Sequence, residues 1–395
     1  MTFREATCPA CGHHIAVPFF DGGEHPLATL AWPATAAAAQ GLPKFALDFV
    51  RCVDCGHVFN TAFDYADVPY SDKPNLMFNQ AANWSAFLVA TREKMLARLG
   101  AEPVVVEIGH GDGSFLGGLG RGAPRGRFVG FDPHGAEGKF EAVEFRRELF
   151  DPARHLAELK PDLIISRHVL EHLVNPLGFL QGISFAAARL RQSPLAYFEV
   201  PCIDNAITSR RTVDFYYEHS SQFTTESFHR MLSRTGSEIL EMGHGYGGEV
   251  VFSFARLGKA AGQADMAVES EAFRAAAERG RDVIAGELAE LHAAGKTVAI
   301  WGGTGKSAAF MCRHGVDRER FPIVVDSDRD KVGTFVPGMG QEIRFRDYLL
   351  EHPVDTVVIP PQWRAADIVL EMARCGIEVD QVLIEHDGHL VEFGD

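Results

Sequence analysis

The sequence of 395 residues contains no apolar run near the roughly 18 residues that a membrane span needs. Its opening, Met1-Thr-Phe-Arg-Glu-Ala-Thr-Cys8, lacks the apolar core of a secretory signal. Basic charge is scarce: 38 Lys and Arg stand against 53 Asp and Glu, a formal net charge of −15. Binding to nucleic acid needs a basic surface, so this balance argues against such a substrate. A phosphorylated ligand would have to be held locally, by a few cationic side chains or loop N–H groups. These absences predict a cytoplasmic protein with neither a membrane nor a nucleic acid as partner. The length exceeds one ordinary core, and two or three domains are expected.

Cysteine is sparse too, with seven residues, but four of them are patterned. Cys8-Pro-Ala-Cys11 and Cys52-Val-Asp-Cys55 are Cys-x-x-Cys pairs, each followed by a glycine. In a reducing compartment such pairs bind zinc more often than they form disulfides. A glycine behind each pair suggests a tight turn that aims two thiolates at one ion. The long intervening stretch is a minor objection, because each doubling of a loop costs only about 0.6 kcal/mol. Cys8, Cys11, Cys52 and Cys55 are therefore predicted to hold a structural zinc with no open position. His13, His14 and His57 lie close in sequence, and the plainer reading is that they are solvated. Cys202, Cys312 and Cys375 are scattered.

Three blocks follow along the chain. Residues 1–75 carry the cysteine pairs and little periodic structure. Residues 76–257 alternate strand and helix signals. Apolar runs stand at 103–108, 127–131, 162–166, 195–200 and 249–255, and a helical stretch from Trp84 to Leu99 stops at Gly100. That order predicts a parallel α/β sheet with a late antiparallel addition. Residues 258–270 read as a linker, followed by a helix from Glu269 to Ala294. A second α/β unit then begins with Thr297-Val-Ala-Ile-Trp301, so residues 258–395 form the last block.

The richest stretch is Glu107-Ile-Gly-His-Gly-Asp-Gly113, between the apolar run Val104–Val106 and Ser114-Phe-Leu116. It reads as strand, glycine loop and helix. Such a loop brings backbone close to a ligand, and the helix start adds unpaired N–H groups. Asp132 ends the next apolar run, where a doubly wound fold grips a ribose diol. The glycines Gly109, Gly111 and Gly113 do not follow G-x-G-x-x-G spacing, and Glu107 would repel a pyrophosphate. A donor carrying ammonium and sulfonium groups suits this loop better, so it predicts S-adenosylmethionine rather than a dinucleotide.

Two further clusters carry chemistry. Arg167-His-Val-Leu-Glu-His-Leu173 follows the strand signal at 162–166, at the carboxyl end where ligands bind. His168 and His172 are its candidates, against the plainer reading of a helix start with incidental histidines. Tyr216-Tyr-Glu-His219 offers the residue types that abstract a proton and hold the resulting oxyanion. Its plainer reading is a lid plug. Arg210 and Arg211 could meet substrate phosphates, or belong to a solvated loop. Gly302-Gly-Thr-Gly-Lys-Ser307 fails the Walker A template, since Ile300 stands where the first glycine belongs. It could still cradle a phosphate or ribose.

Taken in order, these features resemble the C-methyltransferases that act on nucleotide-linked keto-deoxysugars. The resemblance spans nearly the whole chain. It rests on the cysteine pairs with Pro26-Leu-Ala28 between them, Glu107-Ile-Gly109, His168-Val-Leu-Glu-His172, Glu199-Val-Pro201 and Tyr216-Tyr-Glu-His219. Trp301-Gly-Gly-Thr-Gly-Lys306, Val325-Asp326 and Val336-Pro-Gly338 extend it to the C-terminus. It implies an α/β protein with a small zinc-binding N-terminal domain, a central class I methyltransferase Rossmann-like domain and a second Rossmann-like domain. It also implies S-adenosylmethionine and zinc as cofactors and a small-molecule substrate, a nucleotide-linked sugar.

The resemblance assigns His219 as the base. Glu218 and Tyr216 position the sugar or its enolate, and His172 lines the same cleft. Tyr70, in Val68-Pro-Tyr70, matches a tyrosine of a segment that closes over the site. Glu107, Gly109, Gly111, Gly113, Asp132 and His168 are the expected cofactor-binding set. The sequence departs from the family in having His110 in the glycine loop, and in the segment Ser71 to Trp84. Methyl transfer to oxygen or nitrogen of another small molecule, and a cofactor-binding protein without turnover, remain open alternatives. An NAD-dependent oxidoreductase is disfavoured by the glycine spacing.

Overall fold

A computed structural model of the chain describes residues 2–68, 81–140, 143–258 and 261–394. The chain forms two compact units, Met1–Asp265 and Met266–Asp395. No helix among the described residues is long and apolar enough to cross a membrane.

The first unit holds two sheets. The smaller is built by β1 (Arg4–Glu5), β2 (Ile15–His25), β3 (Phe45–Cys52) and β4 (Val58–Asn60), and all their pairings are antiparallel. The larger comprises β5 (Val104–Ile108), β6 (Arg127–Phe131), β7 (Gly138–Phe140), β8 (Val143–Arg146), β9 (Leu163–Arg167) and β10 (Leu195–Pro201), with two more strands from later in the chain. Those are β12 (Glu238–Gly245) and β13 (Val250–Arg256), after the short strand β11 (Ser221–Gln222). The order is β12-β13-β10-β9-β5-β6-β8-β7. The stretch from β10 to β8 is parallel, and β13 joins β10 antiparallel.

The parallel strands are near-continuous apolar runs because both of their faces are covered. Side chains alternate between two cores: Val106 and Ile108 enter one, while Val105 enters the other. The first core also takes in Cys8, Cys11, Cys52 and Cys55, so the cysteine pairs share packing with the large sheet. The short strand β11 belongs to the smaller sheet, where Ser221 and Gln222 pair with Phe59 and Val58 of β4. A segment in the middle of the chain is thereby stitched to the N-terminal one.

The second unit has β14 (Val298–Trp301), β15 (Ile323–Asp326), β16 (Ile343–Phe345), β17 (Thr356–Val358), β18 (Gln381–His386) and β19 (His389–Glu392). Their order is β16-β15-β14-β17-β18-β19, parallel except for the last pair. Its glycine loop repeats a device of the first unit. The N–H of Gly111 donates to Asp132 Oδ2 at 3.0 Å, and that of Gly303 donates to Asp326 Oδ2 at 3.2 Å.

Two expectations are corrected. Residues 1–75 are not poor in regular structure but carry the antiparallel sheet; its long strands bulge between Pro18 and Phe20 and between Asp21 and Gly23, which breaks the period of two. The expected linker at 258–270 is mostly helix, since one helix runs from Ala261 to Ala293. Its alanine and glutamate content sustains helix through the residues that read as a linker.

Candidate active site

The glycine loop leaves β5 and opens the helix Ser114–Gly122. Gly109 has φ +77°, and a Cβ there would sit 2.3 Å from Val169 Cγ2, so only glycine fits. This close approach seats the loop against the segment that follows β9. Asp132, at the end of β6, also accepts the N–H of His134 at 2.8 Å, which fixes its carboxylate beside the loop. Glu107 is 2% exposed, and its Oε2 has no hydrogen-bond partner among the described residues. Burial pushes its carboxyl up to about 8, against the pull of Arg167. A buried acidic side chain beside a glycine-rich loop suits a cationic donor, whose charge would favour the ionised carboxylate, so these residues fit S-adenosylmethionine. His110 is buried and packs its ring on Phe145 at 4.8 Å.

Behind the loop lies a chain of buried charges. Glu199, in β10, is 0% exposed, accepts from Arg167 Nη2 at 2.8 Å and Tyr197 Oη at 2.5 Å, and forms an ion pair with His168, whose Nε2 stands 3.0 Å away. Burial opposes its charge, but Arg167 and His168 hold the carboxyl down at about 2. His168 sits at φ +53°. Burial disfavours its proton, yet Glu171 and Glu199 together raise it to about 9. Its Nδ1 is 3.5 Å from Glu171 Oε1. The structure therefore places His168, an expected cofactor ligand, in an ion-paired network.

The segment 216–219 divides its side chains between two sides. Tyr216 and His219 line a cavity of about 240 Å³ together with Trp84, His168, Cys202, Asp214, Gln222 and Tyr246. Tyr216 Oη and His219 Nε2 are 2.8 Å apart. His172 meets the His219 ring edge-on at 4.7 Å between centroids, and its Nδ1 donates to the Glu218 carbonyl at 2.8 Å. Burial, aided by His172, lowers the His219 imidazole to about 3 and keeps it neutral. Tyr217 and Glu218 point elsewhere. Tyr217 Oη accepts the Asp64 N–H at 2.9 Å and donates to Asp67 Oδ2 at 2.7 Å. Glu218 Oε1 accepts the N–H groups of Thr29 at 2.7 Å and Leu30 at 3.2 Å. Its carboxylate thus lies on the N-terminal segment, outside the lining of the cavity. Sequence spacing hides this, because a turn rather than a strand or helix sets the side-chain directions here.

Tyr70 lies outside the described residues. Arg211 is held by Asp214 at 2.8 Å and Glu249 at 2.6 Å, so its charge is already met. Three residues of the site have no role of their own in the sequence reading: Trp84, Glu171 and Glu199. For Glu199 the signal was present, since a glutamate inside a fully apolar strand must be paired.

The four paired cysteines are buried and unbridged. Cys8 and Cys55 Sγ are 3.7 Å apart, and Cys11 and Cys52 Sγ are 3.6 Å apart. A tetrahedral ion with Zn–S bonds of about 2.3 Å needs S···S separations of about 3.8 Å, so the set fits zinc. Both turns use one pattern: the Gly12 N–H donates to Cys8 O at 2.9 Å and the Gly56 N–H to Cys52 O at 3.1 Å, with φ near +75° at each glycine. His57 is fully buried rather than solvated, with Nε2 3.3 Å from Ser221 Oγ, because β4 carries it into the core.

Residues 81–242 match a methyltransferase domain family, and residues 247–381 match the C-methyltransferase C-terminal domain family. No curated protein matches the sequence. Among solved structures, a methyltransferase of Haloferax volcanii in complex with the Trm112 activator aligns at 14% identity over 45% of this chain and 98% of its own, with a TM-score of 0.32. Magnesium protoporphyrin IX methyltransferase from Synechocystis PCC 6803 aligns at 16% identity over 48% and 90%, with a TM-score of 0.33. A methyltransferase from Aquifex aeolicus aligns at 14% identity over 49% and 99%, with a TM-score of 0.31. Fold, glycine loop and domain matches define the class: the protein is an S-adenosylmethionine-dependent methyltransferase. More particularly, its methyltransferase domain is followed by a C-methyltransferase C-terminal domain.

Proposed function

We propose that the protein transfers a methyl group to carbon, next to the ketone of a nucleotide-linked keto-deoxysugar, with His219 as the base. One observation supports this most: a neutral, half-buried imidazole touches a tyrosine hydroxyl on the wall of a cavity that His168 also lines, next in sequence to Val169, against which Gly109 of the glycine loop packs. Bound S-adenosylmethionine supplies an electrophilic methyl on a sulfonium. The ketone acidifies the neighbouring C–H, and His219 accepts that proton. Tyr216, whose hydroxyl burial keeps protonated, donates toward the enolate oxygen. Glu107, Gly109, Gly111, Gly113 and Asp132 would hold the donor. Glu218 and Tyr217 act at one remove, by fixing the segment that carries the base. Zinc on Cys8, Cys11, Cys52 and Cys55 takes no part in the reaction and stiffens the sheet to which that segment is stitched.

Nucleotide-linked keto sugars incubated with S-adenosylmethionine should gain one methyl by mass spectrometry, and deuterium at the acceptor carbon should wash out. His219→Ala should lower the rate at least about 100-fold, the lower end of the span typical of general-base catalysis. Unchanged turnover in that variant, or a methyl on oxygen or nitrogen, would overturn the reading.

A further inference from the structure

Two imidazoles and a carboxylate converge around His219, which lines the cavity. Glu171, His172 and His219 each offer one ligand atom, and these atoms all lie within 4.8 Å of one another. Glu171 is 1% exposed, and neither of its carboxylate oxygens has a hydrogen-bond partner among the described residues. His168 Nδ1 stands 3.5 Å from its Oε1. A buried carboxylate with so little hydrogen bonding is costly unless something else meets it.

The separation of the two histidine rings fits a shared ion. A metal–nitrogen bond of about 2.0–2.1 Å puts a ring centroid about 3.2 Å from the metal, so two rings on one ion stand about 4.5–5.2 Å apart. His172 and His219 stand 4.7 Å apart, with their planes at 73°. The ring of His172 is oriented by the Glu218 carbonyl on its Nδ1, the outer hydrogen bond that metal-binding histidines ordinarily make.

We propose that Glu171, His172 and His219 form a binding site for a first-row divalent cation, and that the cation and the substrate proton compete for His219. Two imidazoles and one carboxylate favour Zn²⁺, Co²⁺ or Ni²⁺ over Mg²⁺ or Ca²⁺, which prefer all-oxygen shells. A neutral imidazole has one lone pair. Once a cation takes it, His219 has no basic nitrogen, whichever tautomer was present. The cation-loaded enzyme is therefore switched off. The competition rests on His219 being the base; the binding does not.

The experiment uses the full chain with its four-cysteine site already filled by zinc. Cobalt(II) is then titrated in and its absorption followed, with methyl transfer measured in parallel. One further equivalent is expected, with weak visible bands and no thiolate charge-transfer band. Glu171→Gln should weaken it at least tenfold, and His172→Asn should do the same if the first variant fails to fold. Transfer by the unaltered enzyme should fall to half at the cobalt concentration that half-fills the site, and recover with a mild chelator. Absence of a second equivalent, or one bound equally well by Glu171→Gln, would overturn the site. A thiolate band that persists in that variant would overturn it too, by assigning the ion to Cys202, Asp204 and His244, which also cluster. Binding that leaves the rate unchanged or raises it would overturn the competition. If His219→Ala transfers methyl normally while the cobalt spectrum still depends on Glu171, the base assignment fails and the metal site stands.

Discussion

His168 is a half-buried histidine whose charge is favoured by its surroundings. Glu171 and Glu199 raise it from 6.5 to about 9 although desolvation disfavours its proton. Because the folded value lies above the unfolded one, its contribution to stability is fully present below pH 6.5 and is lost as pH rises through 9. Melting temperature should therefore decline between those limits, and His168→Gln should flatten the decline. A wild-type profile that stays level over that range would show that His168 is neutral in the fold. The same network explains why Glu199 and Arg167 sit at facing register positions on β10 and β9: each makes the burial of the other tolerable.

At the scale of elements, the segment that carries His219 is held from the N-terminal side. Its strand β11 pairs with β4, the Asn60 N–H donates to Ser220 O at 2.9 Å, and Tyr217 and Glu218 anchor the turn. Tyr217→Phe keeps the ring stacked on Phe45 at 4.7 Å but leaves the Asp64 N–H and Asp67 without the hydroxyl. Losing those bonds should cost about 1–3 kcal/mol of stability. Turnover should drop about tenfold, since small misplacements of a base are expensive in rate. Affinity for S-adenosylhomocysteine should stay level, because the glycine loop belongs to the other sheet. Calorimetry and initial rates would separate the two effects; a loss of cofactor affinity equal to the loss of rate would refute the division. The parallel strands were legible because burial on both faces writes them as apolar runs ending in glycine or aspartate. The cluster of His172 and His219 was legible by residue type. The N-terminal sheet was not, since it has bulges and half-exposed strands. Nor was β12, an outer strand with a bulge between Ile239 and Glu241 and no clean alternation. Glu171 stayed hidden because its importance lies in a meeting with His219, distant in sequence.

At the scale of the molecule, the charge of −15 acts on any anionic substrate before contact. A nucleotide-linked sugar brings phosphates of the same sign. The cavity in the first unit does not offset this, since Arg211 is already matched by Asp214 and Glu249. Screening should therefore help: with the Debye length shrinking from about 30 Å at 0.01 M salt to about 8 Å at 0.15 M, kcat/KM should rise modestly, mainly through KM. This is the opposite of a nucleic-acid enzyme, whose affinity collapses with salt. The second unit supplies the discriminating case. Its cavity of about 190 Å³ is lined by Lys306, Lys331 and Arg364 beside the glycine loop. Lys306 lies 3.7 Å over the Trp363 ring, and Lys331 is 3.3 Å from Asp326. If kcat/KM instead falls with salt, and Lys306→Ala removes the fall, then local cations there outweigh the field of the whole protein. A rise that Lys306→Ala leaves unchanged would mean that the net charge governs the encounter.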